Sequence, residues 1–202
     1  VAAEKVTFVD NLLEIGGYLL AAISLFIAAQ IKKWFASHKF FDPSKMIIKN
    51  VQVRDFLIEL RALIDADRVK LFQFHNGEYY VSGESVMKIS MTHVAVKTGV
   101  SYPEMANIHY SAIPTSYMTR ILQSLYKEEF LILHTQDLED DQYLKHIFVA
   151  HGVKCAVLYP VSNLKGQWIG IVMAVWLNDV EPAYDLLDFQ SSSAKIGQLL
   201  LK

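Results

Sequence analysis

Val153–Val161 reads VKCAVLYPV and Trp168–Leu177 reads WIGIVMAVWL, joined through Ser162-Asn163-Leu164-Lys165-Gly166. Both runs are strongly apolar and rich in β-branched and aromatic residues, so each reads as a strand. The connection has hairpin length, which makes the pair antiparallel. On the C-terminal side, Pro182 opens an amphipathic helix running to the end of the chain, with Leu186, Leu187, Phe189, Ile196, Leu199 and Leu200 as its apolar face.

Upstream, Leu138–Ala150 reads as a helix stopped by Gly152, Phe130–His134 as a short strand, and Thr115–Lys127 as a helix. Ser101–Ser111 is irregular, punctuated by Pro103 and, just beyond it, Pro114. Ser85–Val96 reads as a strand in which Met87, Ile89, Met91, His93 and Ala95 alternate with polar residues; Gly99 breaks it. Arg68–His75 is a strand, and Asn76-Gly77 after it predicts a tight turn. Asp42 as N-cap and Pro43 at the first helical position open a helix to about Asp65, whose apolar set is Ile47, Val51, Phe56, Leu57, Leu60 and Ile64. The expected fold is therefore α+β: a central, mostly antiparallel sheet of about five or six strands flanked by helices.

One long helix precedes this unit. Leu12–Ile31 reads LLEIGGYLLAAISLFIAAQI, long enough at 1.5 Å per residue to cross a hydrocarbon core of ~30 Å. Lys32, Lys33 and Lys39 follow it, which predicts a single membrane pass with the C-terminal domain cytoplasmic, lipid being the partner of residues 12–31. A helix enclosed by protein in a virion or other large assembly is the alternative. Gly17, Ala21, Ser24 and Ala28 share one helical face and form a candidate helix-packing stripe. The organisation expected is residues 1–38 as anchor helix and basic flank, 39–46 as linker and 47–202 as the domain.

A formal charge of −2 over 202 residues gives no basic field for nucleic acid. Cys155 is the one cysteine, so no intrachain disulfide and no cysteine-based zinc site is expected.

Leu158-Tyr159-Pro160-Val161, a tight turn, Trp168-Ile169-Gly170-Ile171-Val172 and a helix after an acidic loop together resemble the close of a GAF domain. The first strand with its His75-Asn76-Gly77 is similar to family members whose strand ends in the same tripeptide. The resemblance covers Ile47 to the end. It implies a small-molecule pocket on one face of the sheet, roofed by the middle segment, and dimers formed by bundling the first and last helices. PAS and Roadblock-type domains share related architecture.

Candidate chemistry is sparse. His75 and His93 lie on adjoining strands and could converge, but no carboxylate set or helical His pair accompanies them, so no metal is expected. Cys155 sits mid-strand, where a small buried residue is expected rather than an attachment point. Nucleophile-elbow and P-loop motifs are absent, and Glu139-Asp140-Asp141 reads as a charged helix start. No catalytic residues and no cofactor are expected. The middle segment, with Tyr102, Met105, Asn107, His109, Tyr110 and Tyr117, combines aromatic area with hydrogen-bonding groups. Together with His75, Met91 and His93 it is the candidate ligand pocket or protein-contact surface.

The last helix runs to Lys202, so an attached output domain is not expected. Two functional readings arise. One is a non-catalytic interaction or structural adaptor, homo-oligomeric or bound to a protein partner, in a membrane or phage assembly. The other is a membrane-tethered small-molecule sensor that signals through a separate protein.

Overall fold

The computed structural model describes residues 2–37, 43–103, 106–178 and 184–200, with side chains of the first helix described for 16–33. The chain divides into two compact units, Val1–Pro43 and Ser44–Lys202.

The first unit is helix α1 (Ala2–Ser37). Among the described residues no helix is long and apolar enough to cross a membrane, so the transmembrane span expected over Leu12–Ile31 is not supported. Part of that expected span, Leu12–Ile15, lies outside the residues whose side chains are described. Gly17, Ala21, Ser24 and Ala28 are all exposed on this helix. The Ser24 hydroxyl donates back to the Leu20 carbonyl at 2.8 Å.

In the second unit, helix α2 (Pro43–Leu63) leads into strands β1 (Arg68–Tyr79) and β2 (Ser85–Val96). A single helical turn, α3 (Ala106–His109), and the short strand β3 (Ile113–Pro114) follow. A 3-10 turn at Thr115–Met118 then feeds α4 (Thr119–Glu128), strand β4 (Leu131–His134) and α5 (Gln142–Ala150). The apolar hairpin β5 (Cys155–Ser162) and β6 (Trp168–Trp176) and helix α6 (Leu186–Leu200) complete it. Pro182, expected to open α6, lies outside the described residues. The six strands form one sheet in the order β3-β2-β1-β6-β5-β4. Every pairing is antiparallel.

β1 and β6 are central, so both faces of their inner halves are buried. Val69, Leu71, Val172 and Ala174 meet Val53, Leu57 and Leu60 of α2 and Phe189 and Ile196 of α6. Phe72, Ile171, Met173 and Val175 face Ile121 and Leu125 of α4 and Leu144, Ile147 and Phe148 of α5. The α2 face differs from its expected set: Val53 replaces Ile47 and Val51, which are 62% and 52% exposed.

Two further corrections concern the first hairpin. Asn76-Gly77 makes no turn; β1 continues to Tyr79, and the reversal lies at Tyr80–Glu84, where the Tyr80 N–H bonds the Glu84 carbonyl and Gly83 takes φ +85°. Gly77 is instead a close approach, since a Cβ there would lie 2.7 Å from the Val86 carbonyl oxygen. The expected alternation of β2 also fails. The register slips between Leu71 and Phe72, pairing Leu71 with His93 but Phe72 with Met91. Thr92 is the extra residue, and such a bulge moves every later side chain to the opposite face.

Candidate functional site

The bulge decides which face His93 occupies. Met91 joins Phe72 on the α3–α5 side, whereas His93, opposite Leu71, and Ala95 belong to the α2–α6 side. His75 pairs with Lys88 and bonds Ser90 Oγ through Nε2 at 2.9 Å, while His93 Nδ1 lies 3.0 Å from Thr92 Oγ1. His93 stands opposite Leu71, four residues before His75 on β1, so the two histidines are not brought together. Partial burial holds the His93 imidazole below its usual pKa. Among the described residues no three His, Cys, Asp or Glu side chains are placed to hold a metal ion.

Of the middle-segment candidates, Tyr102, His109 and Tyr110 gather at one place, and Tyr102 donates to Met91 Sδ at 3.4 Å. Asn107 and Tyr117 are exposed. Tyr117 packs against Tyr143 beside an open cleft that also holds the Arg120–Asp140 ion pair. Met105 lies outside the described residues.

The gathering point is built on β1. Period-2 alternation puts Arg68, Lys70 and Phe72 on the side of α3 and α5, and both basic residues are buried, at 2% and 0% exposed. Arg68 donates from one terminal nitrogen to the His151 carbonyl at 3.1 Å and from the other to the Ser101 carbonyl at 2.7 Å. Lys70 Nζ lies 3.9 Å from the centroid of the Tyr110 ring, a cation–π position. That ring stacks on His151 at 5.0 Å, and His151 Nε2 lies 3.0 Å from His109 Nδ1. Burial, then the Arg68 charge, lowers the Lys70 pKa to about 7. Burial, then Lys70, His109 and Arg68, lowers that of His151 to about 4. The Tyr110 hydroxyl is pushed well above its usual pKa, chiefly by burial.

Arg68, Lys70 and His151 were not among the sequence candidates. The signal for the first two was present: two basic residues at the inward positions of a strand that is otherwise apolar. His151, the residue capping α5, carried none.

The space available is small. The α3–α5 side encloses a cavity of about 20 Å³ lined by Phe72, Ile89, Tyr110, Ile113, Met118, Leu144, Leu158, Ile171 and Met173. A larger cleft of about 360 Å³ opens between β4 and α5, lined by residues such as His134, Lys145 and Lys154, but it is a surface feature without buried polar groups.

Solved structures share this fold. The GAF domain of PixJ from Thermosynechococcus elongatus, in its blue-light-absorbing form, matches with a TM-score of 0.56 at 12% identity, over 77% of this chain and 86% of that one. This is a GAF fold. A GAF domain/HD domain protein from Geobacter sulfurreducens matches at 0.53 and 14% identity, over 76% and 90% of the two chains. The phycocyanobilin-bound GAF domain of a cyanobacterial phytochrome matches at 0.53 and 15%, over 85% and 87%. No protein-family model and no curated protein matches the sequence.

Cys155 of this GAF fold pairs with Trp176 and is 2% exposed, and its partner strand residues place it on the α2–α6 side, away from the cavity. Burial raises its thiol to about 11, leaving it an unreactive thiol at neutral pH.

Proposed function

We propose that this chain is a non-catalytic interaction module of GAF fold, working through protein contact rather than through an organic ligand. The observation that carries the reading is the cavity of about 20 Å³ under α3–α5. Pockets for organic ligands run to roughly 300–1,000 Å³ with a few convergent polar groups. Here nine side chains line a far smaller space, and the one cysteine faces the other side of the sheet.

The outer surface of α2 supports protein contact. Met46, Ile47, Ile48, Val51, Ile58 and Leu63 are each at least 40% exposed, although α2 already buries Val53, Leu57 and Leu60 against the sheet. Apolar side chains on both faces of one helix favour a second packing partner. A second copy of the chain or a different protein would suit this surface.

Native mass spectrometry of the full chain purified from its own source tests the reading. The expected result is an apo mass, in an oligomer or with a co-purified protein, and loss of that assembly in Ile47→Lys/Val51→Lys. A stoichiometric organic mass retained on the monomer would overturn it.

A further inference from the structure

Lys70, Arg68, Tyr110 and His151 share a property that the small apolar cavity does not explain. The Lys70 ammonium, Arg68 Nε, the Tyr110 hydroxyl and His151 Nδ1 are all buried and make no hydrogen bond. Among the described residues only one further buried side-chain atom, Ser85 Oγ, is in that state. Buried polar groups are almost always paired, and an unpaired buried ammonium is the costliest case. Four such atoms in one node is therefore not packing noise.

Three of the four are donors: an ammonium, a guanidinium N–H and a phenol O–H. They lie close together, since Lys70 sits over the ring of Tyr110, Tyr110 stacks on His151, and the charges of Arg68 and Lys70 are felt by His151. Among the described residues acceptors are scarce. Around the node stand Asp67 just before β1, Arg68 on that strand, Tyr102 in the segment after β2, His109 and Tyr110 at α3 and His151 after α5. Asp67 is the one carboxylate among these, and its Oδ2 accepts the Leu177 N–H at 2.7 Å. The node thus holds two basic side chains and surplus donors in a region where charge is poorly screened.

We propose that this node, between β1 and α3, binds a small monovalent anion of the carboxylate class. Two oxygens of a planar carboxylate match an ammonium, a guanidinium N–H and a phenol hydroxyl. Complete burial of Lys70 limits the occupant to a few atoms, of the size of formate. The cover includes the single helical turn α3, an element short enough to open locally and admit a small ion. The proposal goes beyond the interaction-module reading and does not depend on it.

The test is thermal unfolding of the full chain at pH 7 and constant ionic strength, exchanging sodium gluconate for sodium formate or sodium chloride. Expected is a saturable rise in Tm of several degrees with formate, absent in Lys70→Met and intact in the exposed control Lys127→Met. Equal responses in wild type and Lys70→Met would reveal a bulk salt effect and overturn the proposal, as would a response to chloride alone or to neither salt. Glu104→Gln is run alongside, because Glu104 stands two residues before α3 in the sequence. A formate response seen only in that variant also overturns it, since the chain would then supply its own carboxylate. Should Lys70→Met fail to fold, ¹⁵N NMR of the Lys70 ammonium in wild type decides: formate should hold its proton to well above pH 8. Titration near pH 7 in both salts would refute anion binding while leaving the interaction reading standing.

Discussion

Strand β1 turns Val69 and Leu71 toward α2 and α6 but Arg68 and Lys70 toward α3 and α5, and the two sides of the sheet are finished differently. On the α2–α6 side the helices come down onto the strands with little slack. Gly197 lies so close to β5 that a Cβ would run into the Ser162 carbonyl oxygen, Ser193 Oγ donates to the Pro160 carbonyl at 2.6 Å, and Phe189 stacks on Tyr159. On the α3–α5 side short helices and 3-10 turns make the cover, a small void remains, and four buried polar atoms are left unpaired. One side is organised for packing alone. The other carries a stability penalty that only a bound group or a neutral lysine relieves.

Paired truncations should break the comparison most strongly. Leu57→Ala and Leu144→Ala each remove a buried leucine, 0% and 3% exposed, and each should cost about 2–5 kcal/mol in urea unfolding. The two variants should differ in their response to a small apolar ligand. Leu144 lines the existing void, so its truncation should create a dry cavity whose Tm rises with added benzene. Leu57→Ala should show no benzene response. Gly197→Ala should come next, at about 3 kcal/mol, because the obstacle is the carbonyl of a sheet strand rather than a movable side chain.

Lys70→Met sharpens the contrast with the opposite sign. Removing an unpaired buried cation should stabilise the chain by roughly 1–4 kcal/mol in gluconate at pH 7. The pH dependence gives the signature. The Lys70 pKa falls from 10.5 to about 7 on folding, so between those values the unfolded chain binds more protons and stability rises with pH. Below pH 7 the lysine is charged in both states and the penalty is felt in full. His151, lowered from 6.5 to about 4, adds a separate loss of stability as pH falls through that window. Urea midpoints from pH 4 to 10 should show both slopes in wild type, and only the acid one in Lys70→Met.

The sheet was legible in the sequence because its inner strands announce themselves twice, by β-branched content and by turn spacing. VKCAVLYPV and WIGIVMAVWL are found paired from Cys155 opposite Trp176 to Ser162 opposite Trp168. Alternation was less reliable wherever backbone geometry broke it. Nothing in SVMKISMTHVAV marks Thr92 as a bulge, so alternation put His93 on the face of Met91, whereas Tyr102, His109 and Tyr110 of the middle segment do gather. Asn76-Gly77 carries the strongest local turn signal of the hairpin, yet strand pairing to β2 overrides it. α1 shows a third limit: apolar length suggested a bilayer span over Leu12–Ile31, which the described residues do not support.

Gly83→Ala should have the smallest effect and asks how far the first hairpin shares the stability of the core. Gly83 adopts φ +85° at the tip, and nothing lies within 4 Å of a Cβ there. The substitution therefore costs backbone strain alone, about 1 kcal/mol. Tyr79, Tyr80 and Val81 beside it are exposed, so few buried contacts tie the tip to the sheet. If the hairpin folds with the core, that strain should appear in the global urea midpoint. If its outer half opens on its own, amide exchange should quicken at Tyr79–Val86 while the midpoint stays within about 0.3 kcal/mol of wild type. The second outcome is expected. The register shift beyond Asn76 interrupts the ladder between the tip and Phe72, and the bulge at Thr92 interrupts it again before Leu71. A full effect on the midpoint would instead mean that the exposed tip belongs to the same cooperative unit as the packed faces.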